Sequence, residues 1–278
     1  MALSPRASLE ARPMRAGKLP LLNRTLSRLL APRSPLGYGQ PIPPEDRILV
    51  TDVSKWNGNN DFTQMLEAGA MGTMMRASLC WLNNPQCATD DKFAQNSQAA
   101  SALQYPFGCY HFLSDQLPGA TQAAYFLNVI NGSGAQLPAC VDVELQYVSA
   151  AKVRAFVETV AETLGYYLSI YTSGYFWGKV WGTTDKTWLS AHCPLWVAHW
   201  NTLNPWLPTG WNEYTMHQWS ADGNGRAAEF GSTGGDPDID LNYCRRSWFE
   251  QFAPLPADWR QSITAWARTM GYQGPDPV

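Results

Sequence analysis

The sequence Leu137-Pro-Ala-Cys-Val-Asp-Val-Glu-Leu145 predicts a buried strand that ends in two acidic residues. Successive side chains of a strand point to opposite faces, so Val141 and Val143 share one face while Asp142 and Glu144 share the other. Burying an unpaired charge costs several kcal/mol, which favours a strand that delivers both carboxyl groups into a polar cavity. A strand end that has simply reached solvent would have the same pattern.

Predicted strands and helices alternate on both sides of this stretch. Strands are predicted at 48–54, 71–79, 107–112, 137–145 and 166–172, with helices at 62–68, 90–103, 120–130 and 150–164. Three further strands, at 195–200, 214–219 and 239–243, have no full helices between them. Eight strands close a barrel with a packed interior. The sequence therefore predicts an α/β fold, a modified TIM-like barrel of five βα units followed by three strands that lack full helices.

Acidic residues recur at the predicted strand ends. Asp52 closes the first strand and Asp240 lies in the last. Taken singly, each is also typical of a turn or a cap. Together with Asp142 and Glu144 they would line one rim of a barrel, where barrel enzymes carry their chemistry.

Composition favours one main domain and a ligand with flat, polar faces. The chain has 278 residues, of which 45% are hydrophobic and 15% charged, so it can bury one large core. Thirteen tryptophans and twelve tyrosines are many. Aromatic faces beside polar groups suit hydroxyl-rich ligands such as sugars, although most of these side chains will pack in the core.

Charge divides the chain into a basic arm and an acidic globule. Up to Pro44 there are seven Arg or Lys and one Glu, a net charge of +6, and the remaining 13 basic and 22 acidic residues give −9. We expect residues 1–46 to be a basic, proline-rich arm and linker with its own partner. Residues 47–252 would form the barrel, which we do not expect to bind nucleic acid. Residues 253–278 would form a short helical appendage.

Cysteine usage and hydropathy limit the other possibilities. Cys109 and Cys140 lie in predicted strands and should be free, whereas Cys80 and Cys87 would be able to form a disulfide in a protein that works outside a cell. Neither the cysteines nor the histidines have zinc-site spacing, and we expect no metal and no cofactor. No apolar run reaches the ~18 residues of a transmembrane helix, and no secretory signal is evident at the N-terminus.

Seven short motifs, taken in order, resemble a known family. They are Asp52-Val-Ser-Lys-Trp-Asn-Gly58, Tyr110-His-Phe112, Asp142-Val-Glu144, Ile170-Tyr-Thr172, Leu195-Trp-Val-Ala-His-Trp200, Gln218-Trp219 and Asp240-Leu-Asn242. Together they resemble the landmarks of the family 25 glycoside hydrolases, lysozymes (N-acetylmuramidases) that cut bacterial peptidoglycan. The resemblance spans residues 48–249 and implies a barrel of the predicted kind. Asn57 departs from the pattern, since family members often have Gln there.

The resemblance also implies roles for individual residues. Glu144 would be the general acid, with its pKa raised by the charges of neighbouring acids, and Asp142 would stay ionised beside the sugar. Asp52 and Asp240 would complete the catalytic set by holding hydrogen bonds in the floor of the groove. The implied substrate-binding residues are Trp56, Tyr110, Tyr171, Trp196 and Trp200, although barrel packing is the alternative role for such aromatic side chains.

The reaction mechanism and the substrate stay open at this point. Side chains at i and i+2 of a strand start ~6.6 Å apart, which lies between the carboxyl separations of retaining and inverting glycosidases. The resemblance favours retention, assisted by the 2-acetamido group of the substrate. A chitinase-like N-acetylhexosaminidase is one alternative function. A non-catalytic glycan-binding subunit that has kept the barrel is another.

The basic arm suggests where the protein works. With bacterial peptidoglycan as the partner of the barrel, a protein without a secretory signal would reach the cell wall by another route. Bacteriophages supply two such routes, carriage on the virion and release from the host cytoplasm at lysis. An arm of charge +6 would suit docking to an acidic tail or capsid surface.

Overall fold

The computed structural model describes residues 37–80, 86–221, 227–232 and 239–255. Strands are Arg47–Val53 (β1), Ala70–Cys80 (β2), Cys87–Thr89 (β3), Phe107–Phe112 (β4), Cys140–Asp142 (β5), Ser169–Thr172 (β6), Leu195–Ala198 (β7), Met216–Ser220 (β8) and Asp240–Arg245 (β9). Helices are Phe62–Glu67 (α1), Phe93–Ala102 (α2), Gly119–Ile130 (α3), Ala150–Leu164 (α4), Gly174–Lys179 (α5), Thr183–His192 (α6) and Arg246–Phe249 (α7). Short 3-10 helices lie at Pro44–Asp46, Lys55–Asn57 and Ala227–Phe230.

Eight strands form a closed ring. The hydrogen-bonded order is β1-β9-β8-β7-β6-β5-β4-β2, and β1 also pairs with β2, which closes the barrel. Strand β3 lies outside the ring, antiparallel to the end of β2. Helices follow β1, β2, β4, β5 and β6 in the chain, and no α-helix is described between β7 and β9. The prediction of five βα units followed by three strands is confirmed.

The direction of the last strand decides which residues meet at the rim. Strand β9 is antiparallel to both β1 and β8, whereas the other pairs around the ring are parallel. The start of β9 therefore lies at the same rim as the ends of the parallel strands. In this register Asp240 pairs directly with Asp52. An acid at the beginning of the last strand thus joins acids at the ends of the others.

The period-two pattern of the strands separates two apolar layers. In β1, Ile48 and Val50 belong to the cluster inside the barrel, whereas Leu49 and Val53 belong to the cluster between the strands and the helices. Thr51 faces the same outer layer, because its hydroxyl contacts the sulfur of Met65 on α1 at 3.0 Å. Asp52 must consequently point into the barrel.

Strand β5 shows the same alternation but is shorter than predicted. Val141 and Val143 are fully buried in the outer layer, while Cys140 lies inside. The N–H of Leu137 donates to the carbonyl of Phe107 in β4, but the regular pairing of β5 with β4 begins only at Cys140. The predicted strand 137–145 is therefore too long at both ends. Glu144 lies two residues beyond the strand, on the loop that follows it.

The far end of the barrel is closed by α7. Trp248 and Phe249 are buried in the interior cluster. A Cβ added at Gly72 would lie only 2.9 Å from the Phe249 ring, so a glycine at this position allows the ring to fit. Ala253 extends the same packing. Most of the predicted C-terminal appendage, from residue 256 onward, lies outside the described residues.

The last part of the predicted N-terminal linker lies on the barrel. Ile42 is buried, and its carbonyl accepts a hydrogen bond from Arg47 at 2.6 Å. The hydroxyl of Tyr214 donates to the carbonyl of Gln40 at 2.8 Å. Residues 1–36 of the predicted arm lie outside the described residues.

The structure confirms the two expected free cysteines and contains the disulfide that the sequence left open. Cys80 and Cys87 form a disulfide that joins β2 to β3. Cys109 and Cys140 are free and buried, as predicted. None of the helices in the described ranges is long and apolar enough to span a membrane.

Candidate active site

A cleft of about 890 Å³ opens at the rim where the parallel strands end. All nine residues predicted from the sequence line it. They are Asp52, Trp56, Tyr110, Asp142, Glu144, Tyr171, Trp196, Trp200 and Asp240. The same cleft is lined by Gln218, which belongs to a recognised motif but was given no role, and by Arg76, which the sequence motifs do not include.

The barrel topology brings the four acids together. Asp142 ends β5 and lies between Phe112 of β4 and Tyr171 of β6 in the sheet register. Asp52 and Asp240 are paired across β1 and β9. Glu144, on the loop after β5, reaches the same cleft. Residues far apart in the chain thus form one acidic cluster.

Glu144 has the electrostatic character of a general acid. Burial, together with the negative charge of Asp52, raises its pKa to about 7, against the opposing charge of Arg76. We expected this rise to come from the charges of neighbouring acids, but burial is the larger cause. A carboxyl group with a pKa near 7 carries a transferable proton at neutral pH and can also take one back.

Burial raises the pKa of Asp142 well above the ordinary value, and the charge of its neighbour Glu144 adds to the rise. Burial thus opposes ionisation of Asp142 in the free protein, and its ionised form beside a bound sugar stays a prediction. One oxygen of Asp142, Oδ1, is buried and accepts no hydrogen bond from any described residue. It is positioned to accept one from a bound ligand.

Asp52 is the hub of a hydrogen-bond network in the floor of the cleft. Its Oδ2 accepts hydrogen bonds from the side-chain amide nitrogens of Gln218, at 3.1 Å, and Asn242, at 2.8 Å. Burial raises the pKa of Asp52, while these two hydrogen bonds lower it. Both amides must therefore turn their oxygens away from Asp52 and toward other donors.

Aromatic side chains supply those donors. The oxygen of Gln218 accepts from the Tyr171 hydroxyl at 2.8 Å and from the Trp200 indole at 2.9 Å. The oxygen of Asn242 accepts from the Trp196 indole at 2.7 Å. Asp52 thus fixes the positions of three predicted substrate-binding residues through the side-chain amides of Gln218 and Asn242. These residues are Tyr171, Trp196 and Trp200.

The predicted aromatic residues divide into two groups. Trp196 is only 2% exposed and packs edge-on against Tyr110 and Tyr171, so its main role is in the barrel interior. Trp56 and Trp200 are 61% and 52% exposed at the rim of the cleft, where their faces can contact a ligand.

Arg76 is the functional residue that sequence reasoning missed. It is the single charged residue of β2, and that isolated charge in an apolar strand was the available signal. Its Nε pairs with Asp90 at 2.7 Å, and Asp90 is itself buried. Its Nη2 is buried without a hydrogen-bond partner among the described residues. Arg76 therefore places a fixed positive charge beside the acids.

Asn57, the departure from the family pattern, is used within its own turn. Its side-chain oxygen accepts from the backbone N–H of Ser54 at 2.8 Å, which completes a capping box around the 3-10 helix Lys55–Asn57. It does not line the cleft. The shorter side chain thus serves the loop that carries Trp56.

Comparison with known proteins identifies the family of this chain. The family model for glycosyl hydrolases family 25 matches residues 51–227. The match covers more than half of the chain, and the chain belongs to this family.

Individual relatives are distant. The chain is 28% identical over 202 residues to Lysozyme M1 of Streptomyces globisporus, covering 67% of this chain and 65% of that protein. It thus spans just under two thirds of that relative. A bacterial lysozyme structure from Streptomyces coelicolor is 25% identical with a TM-score of 0.57, covering 70% of this chain and 90% of that one.

A third relative bears on the fold alone. The catalytic domain of endolysin ply40 from bacteriophage P40 of Listeria monocytogenes has a TM-score of 0.58, covering 74% of this chain and 96% of that one. At 18% identity it supports the barrel architecture.

Proposed function

We propose that this protein is a peptidoglycan hydrolase that cleaves the β-1,4 bond between N-acetylmuramic acid and N-acetylglucosamine. The observation that carries the proposal is the carboxyl group of Glu144, whose pKa is raised to about 7, in one cleft with the Oδ1 of Asp142, which is buried and has no hydrogen-bond partner among the described residues. Membership of the glycosyl hydrolases family 25 supports it. The acidic cluster and the exposed faces of Trp56 and Trp200 suit a sugar polymer.

We propose that the reaction is a double displacement. Glu144 donates its proton to the glycosidic oxygen as the bond to C1 of the muramic residue breaks. The 2-acetamido oxygen of that residue bonds to C1 from the opposite face, and Asp142 accepts the amide N–H as positive charge develops. That hydrogen bond favours the ionised form of Asp142 and lowers its pKa in the complex. Glu144 then takes a proton from the water that attacks C1, and the bond from C1 to the acetamido oxygen breaks, which restores the acetamido group.

Turnover of two purified polymers tests the proposal. Peptidoglycan should release soluble glycan fragments when incubated with the protein, whereas chitin should release few. Faster release from chitin would instead indicate a chitinase-like N-acetylhexosaminidase. Binding to peptidoglycan with no release from either polymer would indicate a non-catalytic glycan-binding protein.

The stereochemistry of the first product tests the mechanism. Two displacements at one carbon invert the configuration twice, so the new reducing sugar should have the β configuration before mutarotation. Proton NMR in the first minutes of the reaction distinguishes the two anomers. Early appearance of the α anomer would show that Asp142 or Asp52 acts as a base for water in a single inversion.

The pH profile tests the role of Arg76. Arg76 lowers the pKa values of both Glu144 and Asp142, so Arg76→Met should raise both. Glu144 then keeps its proton up to a higher pH, and Asp142 loses its proton only at a higher pH. Both limbs of the plot of kcat/KM against pH should consequently move to higher pH.

Arg76→Lys is the matched control because it keeps the positive charge. Its limbs should stay near those of the wild type. Thermal unfolding of both variants reports the separate cost of disturbing the buried pair with Asp90. A wild-type pH profile for folded Arg76→Met would contradict this role.

We also propose that the protein is a bacteriophage protein, carried on the virion through its basic arm or released at lysis. The support is the net charge of +6 up to Pro44, which suits an acidic tail or capsid surface. Mass spectrometry of washed virions should detect the intact protein and much less of a form lacking residues 1–36, a deletion that removes all seven basic residues of the arm and keeps the segment that lies on the barrel. Absence of the intact protein, or equal packaging of the truncated form, would contradict docking by the arm.

A further inference from the structure

A second cavity of about 400 Å³ adjoins the catalytic cleft. The two cavities share Glu144, Tyr171 and Trp200. None of the other three acids of the cleft, Asp52, Asp142 and Asp240, lines the second cavity. Glu144 therefore lies at the junction between an acidic cavity and an aromatic one, which we call the aromatic pocket.

We propose that the aromatic pocket binds the sugar on the leaving side of the scissile bond, through the apolar face of its pyranose ring. This inference rests on the proposed function. A general acid must contact the oxygen that joins two sugars, so the two sugars lie on either side of Glu144. Positive charge develops on the sugar that keeps C1, which belongs beside the acids. The other sugar then falls in the aromatic pocket.

The lining of the pocket suits a sugar ring. Tyr175, Trp200 and Trp206 line it and are 54%, 52% and 49% exposed, so each offers a face to a ligand. Two of these rings are held by hydrogen bonds, Trp200 to Gln218 at 2.9 Å and Tyr175 from Gln146 at 3.2 Å. Rings fixed before binding lose little entropy when a ligand arrives.

The N-terminal segment holds the outer wall of the pocket. Tyr38 forms a β-bridge with Trp206. The N–H of Gly39 donates to the Pro205 carbonyl at 2.7 Å, and the N–H of Leu207 donates to the Gly37 carbonyl at 2.8 Å. These contacts come from residues that precede the segment matched by the family model, 51–227.

The body of the barrel fixes the other side of Trp206. Its backbone N–H donates to Nδ1 of His199 at 2.8 Å, and its ring lies against Gly174, where an added Cβ would be 2.7 Å from a ring atom. A glycine at position 174 therefore lets the indole lie close to the start of α5. The pocket is thus built from three separate parts of the chain.

Two substrates that differ only in the leaving group test the proposal. One is a soluble, uncrosslinked peptidoglycan oligosaccharide, and the other is a β-glycosyl fluoride of the N-acetylglucosaminyl-N-acetylmuramyl disaccharide. Fluoride does not fill a sugar-sized pocket. Tyr175→Ala and Trp206→Ala should each lower kcat/KM for the oligosaccharide ~10-fold more than for the fluoride, in line with the loss of one aromatic contact. Trp206→Phe, which keeps an aromatic face, should recover most of the loss.

Trp181→Ala is the matched control. Trp181 is 63% exposed and lines neither cavity. Its replacement should therefore leave the ratio of the two kcat/KM values, for the oligosaccharide and the fluoride, unchanged. Equal losses on both substrates in the pocket variants, or no loss, would overturn the assignment while leaving the proposed function intact. A wild-type protein that hydrolyses neither substrate would refute the proposed function, and this assignment with it.

Discussion

Glu144→Gln is expected to lower the rate of peptidoglycan hydrolysis by ~10²–10⁴-fold, the usual contribution of a general acid. Gln has nearly the size of Glu but has no proton to transfer to the leaving oxygen. Initial rates of glycan release from purified peptidoglycan measure the effect. Binding of the variant to insoluble peptidoglycan, measured by co-sedimentation, should stay at the wild-type level. Near wild-type release by a folded variant would contradict the assignment of the acid.

The stability of the same variant shows whether it is folded. Its dependence on pH also tests the raised pKa of Glu144. The pKa of Glu144 is raised from 4.5 to about 7, so the native state binds this proton more tightly than the unfolded state. The free energy of unfolding of the wild type should therefore fall as pH rises from about 4.5 to about 7. Gln cannot ionise, so Glu144→Gln should be relatively more stable above pH 7 than below pH 4.5. Thermal unfolding at several pH values measures this difference.

Asp142→Asn is expected to cost ~10²–10³-fold in turnover, the range found when one preorganised electrostatic contact to a transition state is removed. Asn leaves the developing positive charge without a negative partner, and it can turn an N–H toward the substrate amide. Asp91→Asn is a suitable control, since Asp91 is exposed and pairs only with Lys55 among the ion pairs described. Its turnover should match that of the wild type.

A modified substrate distinguishes the loss of the proposed contact of Asp142 from general damage to the active site. Peptidoglycan whose muramic residues have been N-deacetylated lacks the acetamido group that Asp142 is proposed to orient. The wild type should be slow on this polymer, and Asp142→Asn should add little further loss, as expected when two changes remove one interaction. Equal losses on both polymers would contradict the proposed contact between Asp142 and the acetamido group.

The sequence predicted the parts of the fold that depend on local patterns. Alternation of Val141 and Val143 with Asp142 in β5 correctly indicated an outer apolar layer and an inward acid. The three-residue strand β3 was missed because so short a segment has no readable period. The end of β5 was misplaced because Glu144 continues the same alternation after the hydrogen-bonded ladder has stopped.

The candidate site was predicted as a set of residues but not as a network. Gln218 and Asn242 stood in recognised motifs, yet their link from Asp52 to Tyr171 and Trp196 depends on side-chain orientation that only the closed barrel fixes. Arg76 enters the site from a neighbouring strand and belongs to none of the motifs. The cause of the raised pKa of Glu144 was also misjudged, because the depth of burial cannot be read from sequence spacing.

The most direct test of the central claim is the identity of the new reducing ends. Peptidoglycan digested by the purified protein is reduced with borohydride, and the fragments are analysed by mass spectrometry. Cleavage of the bond proposed here predicts that the reduced ends are N-acetylmuramitol, in amounts that rise with time and are nearly absent with Glu144→Gln. Reduced ends of N-acetylglucosaminitol, or no new ends above the protein-free control, would contradict it.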